Sequence, residues 1–153
     1  MSNLLDVKNN LLPNLKKVYN FFMYASCVAV LVALIMYLTG GKTQYNAQSL
    51  APVIIVSGFV AMGLYIVSIV FDIRFLKYCA AIALLMAFLQ FVITEINFYS
   101  NWIIATDPVA QDVINYYMTV TVLLFISTAL SFVSAAMCKK AYYAEEKAKE
   151  AQQ

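Results

Sequence analysis

The residues with the most chemical potential gather between positions 90 and 112: Gln90, Thr94, Glu95, Asn97, Trp102, Asp107 and Asp112. Gln90, Thr94 and Asn97 recur at helical spacing, which sets amide and hydroxyl groups on one face. Glu95 falls about a third of a turn away, in line with Phe91, Phe98 and Trp102. Such a set can line a polar vestibule, carry a small solute, or meet a partner protein. Asp107 and Asp112 could exchange protons or hold a cation, but each has a simpler structural task. Asp107 precedes Pro108 and reads as a helix N-cap with proline at the first helical position. Asp112 reads as a first-turn acid, favoured by the helix dipole.

Other chemistries are excluded by composition. The chain has no histidine, which removes imidazole acid–base catalysis, Ser/His and Cys/His nucleophile pairs, and most zinc sites. Cys27, Cys79 and Cys138 lack redox-motif spacing and all map to the same half of the spans, so free thiols are expected. Gly40-Gly41-Lys42-Thr43 has neither the leading glycine nor the strand that a phosphate loop needs. No catalytic residue, metal site or cofactor is expected, and the basic residues have no pattern for nucleic acid.

The elements that position these residues follow from hydropathy. Of 153 residues, 63% are hydrophobic and 12% charged, far too apolar for one soluble core of this size. Charge-free intervals run over 18–41, 43–71, 78–94 and 113–138. A bilayer core of about 30 Å takes roughly 17–25 apolar residues as helix, so each interval holds one span. The expected spans are residues 21–38, 51–71, 75–98 and 113–137, in a single membrane domain. Residues 1–18 form an interfacial leader, and residues 138–153 a helical tail rich in Ala, Glu and Lys. Helix four is expected to run from Pro108 to about Lys149.

Nine of the ten Lys/Arg residues fall on one side of these spans and only Lys42 on the other. The positive-inside rule then puts both termini in the cytoplasm. The expected fold is all-α, an antiparallel bundle of four transmembrane helices in the plasma or cytoplasmic membrane, with anionic lipids against its basic face. Asp72, Arg74 and Lys77 are expected to be solvated charges of the turn between spans two and three; the alternative is that Asp72 pairs with Arg74 or Lys77 at headgroup level. Tyrosines at both ends, Tyr19 and Tyr24 at one and Tyr37 and Tyr117 at the other, fit two interfacial belts.

Helix association in lipid depends on small and polar residues rather than apolar burial. The expected packing stripes are Ser26, Ala29 and Ala33; Ser57, Ala61 and Ser68; Ala80, Ala83, Ala87, Gln90, Thr94 and Asn97; and Thr121, Thr128, Ser131 and Ala135, with Ser127 and Ser134 nearby. In the simplest case Gln90 and Thr94 hydrogen-bond to a neighbouring helix.

In topology alone the chain resembles tetraspanins, claudins and MARVEL-type proteins, whose cysteine-bearing outer loops it lacks. Small multidrug transporters carry a carboxylate in their first span, and this one has none. The functional expectation is a non-enzymatic accessory or assembly partner of another membrane or surface protein, acting through the region 98–112. The alternative is a small oligomeric transporter or channel lined by Gln90, Thr94 and Glu95.

Overall fold

The structure, a computed structural model, describes residues 17–40, 52–71, 73–102 and 108–150; of these, the side chains of 40, 95–102, 108–111, 113, 145, 148 and 149 are left aside. Four helices account for nearly all of it: α1 Val18–Gly40, α2 Pro52–Phe71, α3 Arg74–Trp102 and α4 Pro108–Glu150. All four are long and apolar enough to cross a membrane, which makes this a multi-pass membrane protein. The leader, both loops on the Lys42 side, Asp72 and the cap at Asp107 lie outside the described residues.

Local sequence explains the helix ends. The Asn20 amide donates to the Lys17 carbonyl at 2.9 Å and closes the first turn of α1. That helix stops at Gly40. Pro52 and Pro108 each occupy a first helical position, where the missing N–H costs nothing. Only Asp72 and Ile73 separate α2 from α3. The 43 residues of α4 make about 65 Å of continuous helix, roughly twice a bilayer core.

The helices pack as a ring in the order α1, α4, α3, α2. Extensive seams join α1 to α4, α4 to α3 and α3 to α2, while α2 meets α1 along a much slighter one. The buried positions repeat every three and four residues on each helix. On α1 they are Tyr19, Met23, Ser26, Val30, Ala33 and Tyr37; on α2, Ile54, Gly58, Ala61, Tyr65 and Ser68. On α3 the series is Lys77, Ala80, Leu84, Ala87 and Phe91, and on α4 it is Tyr117, Val120, Leu124, Ser127, Ser131, Ser134 and Cys138. A spacing averaging 3.5 residues gives knobs-into-holes contact with a left-handed twist.

Of the expected small-residue stripes, Ser26, Ala33, Ala61, Ser68, Ala80, Ala87, Thr128, Ser131 and Ala135 are buried, whereas Ala29, Ser57, Ala83, Gln90, Thr94 and Thr121 are half-buried. Ser57 lies one position off the α2 series. Its hydroxyl turns back on its own helix, to the carbonyls of Val53 at 2.5 Å and Ile54 at 3.2 Å. Outward faces carry large apolar side chains such as Phe21, Phe59, Ile66, Phe75, Ile93 and Phe125, as a lipid-facing surface requires.

Tyr37 and Tyr117 differ from the belt expectation. Both are buried, and both pack against Phe91, Tyr37 edge-on at a centroid distance of 5.7 Å and Tyr117 at 6.3 Å. Their place in the 3.5-residue series turns them inward, where ring–ring contact replaces the headgroup layer.

Candidate functional site

The polar residues that meet inside the bundle form two clusters, and neither is the stretch singled out from sequence. The first lies at mid-span. Ser26 of α1 donates to the Ser127 carbonyl of α4 at 2.7 Å, and its oxygen lies 3.1 Å from the Tyr65 hydroxyl of α2. Tyr65 in turn donates to the Ser131 hydroxyl of α4. All four residues are buried. Each hydroxyl has one hydrogen: Ser26 gives its own to the Ser127 carbonyl and Tyr65 gives its own to Ser131, so the 3.1 Å approach of Ser26 to Tyr65 is a polar contact rather than a third donated bond. Three helices are thereby tied at one point, where no water competes.

Other interior hydroxyls serve their own helices. Ser68 donates to the Tyr65 carbonyl, and Ser127 and Thr128 donate to that of Leu124. Two further bonds lace α4 to α1: Ser134 to the Tyr19 carbonyl at 2.6 Å, and Tyr116 to the Met36 carbonyl.

The second cluster closes the basic end. Lys77, in the first turn of α3, is 1% exposed, with its amine 3.5 Å from the Cys138 sulfur and 4.3 Å from the centre of the Tyr19 ring. Lys17 lies 5.8 Å from the same ring centre, so two cations share one aromatic side chain. Asn20 is buried beside them in sequence. The sequence reading made Lys77 a solvated turn charge. The structure instead turns it inward, because it opens the α3 core series. Arg74, three residues earlier, takes a different position: its guanidinium carbon sits 3.1 Å from the centre of the Tyr142 ring on the extension of α4.

Of the residues expected to form the site, Gln90, Thr94 and Asp112 have described side chains. Gln90 and Thr94 are half-buried, and Gln90 Nε2 donates to Thr94 Oγ1 at 3.2 Å, within α3 rather than to a neighbouring helix. Glu95, Asn97 and Trp102 belong to α3, but their side chains lie outside the described residues, as does Asp107. Asp112 is exposed on α4. It follows the first turn, which holds no acid, so the expected dipole role belongs one residue earlier than where it stands. Cys27, Cys79 and Cys138 are free thiols; only Cys138 is fully buried, the other two being half-buried. No group of three Cys, Asp or Glu residues comes together as a metal site among the described residues.

Sequence reasoning missed Tyr65 and Lys77, although the signal was present. Tyr65 completes the Ile54, Gly58, Ala61, Ser68 series, and Lys77 leads the one that runs through Ala80, Leu84, Ala87 and Phe91. The chain matches no protein-family model, no curated protein and no solved structure closely enough to indicate kinship.

Proposed function

We propose that this chain is a non-enzymatic accessory or assembly partner of another membrane or surface-anchored protein. The observation that carries this reading is the hydroxyl cluster that ties three helices together. Ser26, Tyr65, Ser131 and the Ser127 carbonyl meet across three helices. Interior polar groups that hold helices together are not free to bind a solute or perform chemistry. What the bundle offers its surroundings is an apolar outer face, together with the Phe98–Asp112 stretch of aromatics and acids as the partner-facing end.

The bundle is antiparallel in this reading, with both termini in the cytoplasm. Tyr19 meets Ser134, Ser26 meets Ser127 and Met36 meets Tyr116, so numbers rise along α1 as they fall along α4. Lys17, Lys77 and Arg74 meet residues of the same end, where Lys139 and Lys140 follow Cys138. That basic end faces the cytoplasm and its anionic lipids by the positive-inside rule.

Affinity purification in mild detergent followed by mass spectrometry tests the assembly role. A stoichiometric membrane or surface partner is expected; repeated recovery of the chain alone overturns the reading. Orientation is tested in a background with the native cysteines changed to serine. An impermeant thiol reagent on intact cells should label Asp112→Cys and leave Glu150→Cys unlabelled, and the reverse pattern refutes it. The transporter alternative requires Gln90 and Thr94 to face a path between copies of the chain. Transport in proteoliposomes that responds to Gln90→Leu with Glu95→Gln would displace the accessory role.

A further inference from the structure

A primary amine and a thiol in contact inside an apolar bundle are a reactive pair as well as a packing contact. Lys77 Nζ lies 3.5 Å from Cys138 Sγ, and the two residues are 1% and 4% exposed. Three helices hold them there. Tyr19 of α1 covers the amine at 4.3 Å, and Ser134, one turn before Cys138, fastens the Tyr19 carbonyl at 2.6 Å. Burial keeps out glutathione and other bulky thiol reagents, whereas hydrogen peroxide is small and uncharged. Fixed proximity favours reaction between the neighbours over reaction with anything dissolved. The four-carbon stem of lysine is flexible enough to close the remaining gap.

We propose that Lys77 and Cys138 form an oxidant-responsive covalent bridge in which one oxygen atom joins Nζ to Sγ. The oxidant is a peroxide. The Cys138 sulfur attacks one hydrogen peroxide, breaking its O–O bond and giving a sulfenic acid and water. The ammonium of Lys77 loses a proton to water, and the neutral amine attacks a second peroxide to give a hydroxylamine and a second water. The hydroxylamine oxygen then displaces the sulfenic hydroxyl, forming the O–S bond as that hydroxyl leaves with the hydroxylamine proton as a third water. Sulfur and nitrogen each lose two electrons, and the two peroxides take up all four. Four equivalents of an added thiol reverse the process, giving amine, thiol, one water and two disulfides. The bridge locks α3 to α4 at the basic end of the bundle, a contact that is otherwise non-covalent.

The test treats the purified full-length chain in detergent with hydrogen peroxide and reads its intact mass. A gain of about 14 Da is expected, against about 16 or 32 Da for sulfenic or sulfinic acid. Proteolysis should yield a joined peptide containing Lys77 and Cys138, released by dithiothreitol. The bridged form should exceed that from chain denatured in SDS before treatment by about tenfold or more, because denaturation abolishes proximity. Lys77→Arg and Cys138→Ser should each eliminate it, and Cys27→Ser with Cys79→Ser should leave it intact. Only the heavier cysteine acids, a disulfide, an unchanged mass, or equal bridging in the denatured chain would overturn the proposal. The wild-type comparison stands even if a variant fails to fold.

Discussion

Tyr65 of α2 donates its phenolic hydrogen to Ser131 of α4 across the diagonal of the bundle, although these two helices share no close backbone approach among the described residues. The bond is possible because Tyr65 is long enough to cross the centre, where Ser26 of α1 meets it at 3.1 Å. Tyr65→Phe keeps the ring and removes this link. Interhelical hydrogen bonds in membrane bundles average about 0.6 kcal/mol and reach about 1.7. Reversible unfolding in mixed micelles should give a loss in that range. A double-mutant cycle with Ser131→Ala should return most of it as coupling energy; additive losses would mean that the two residues do not act together.

The glycines of α2 should respond oppositely to an added side chain. A Cβ on Gly58 would stand 2.8 Å from Leu34 Cδ1 and within 3.3 Å of two more Leu34 carbons, whereas one on Gly63 meets nothing within 4 Å. Gly58→Val should therefore destabilise the bundle by about 1–3 kcal/mol through overpacking. Leu34→Ala in the same chain should recover part of that loss. Gly63→Ala should be neutral or stabilising by up to about 1 kcal/mol, since alanine is the better helix former. Thermal unfolding in detergent distinguishes the two positions.

The Lys77–Tyr19 contact should appear as a coupling energy. Tyr19→Leu removes the ring that lies 4.3 Å from the amine. Its cost should be larger in the wild-type chain than in a Lys77→Met background, by about 0.5–2 kcal/mol for a partly desolvated cation–π contact. Equal costs in the two backgrounds would reduce Tyr19 to a packing residue.

The extension of α4 is held to the start of α3 by Arg74 and Tyr142, 3.1 Å apart from guanidinium carbon to ring centre. Tyr142 is substantially exposed, so the contact is worth about 0.5–1 kcal/mol. Tyr142→Ala should speed amide hydrogen exchange beyond Cys138 by about two- to fivefold. Tyr142→Phe retains the ring face and should leave exchange unchanged.

Architecture was more legible in the sequence than the polar clusters, for a physical reason. Lipid imposes length and hydropathy on every span, so the charge-free intervals and Pro108 located helices directly. Small residues mark close approach, and Ala33, Ala61, Ala80, Ala87 and Ala135 are all buried. The rule that sorts lysines between the two faces of a membrane treats every lysine alike, so it was blind to Lys77 facing inward. Aromatic residues near span ends are equally ambiguous. Tyr37 and Tyr117 would satisfy a headgroup belt, and only the 3.5-residue register turns them towards Phe91. Gln90 and Thr94 drew attention through their polarity, yet their hydrogen bond stays within α3.

The uninterrupted length of α4 makes it a mast stepped in the bundle. Its last buried residue among those described is Cys138, against Lys77, and Glu150 stands twelve positions further on, about 18 Å of helix. Arg74 against Tyr142 acts as a stay one turn above that footing. A tilt of about 10° at Cys138 would carry the far end through roughly 3 Å.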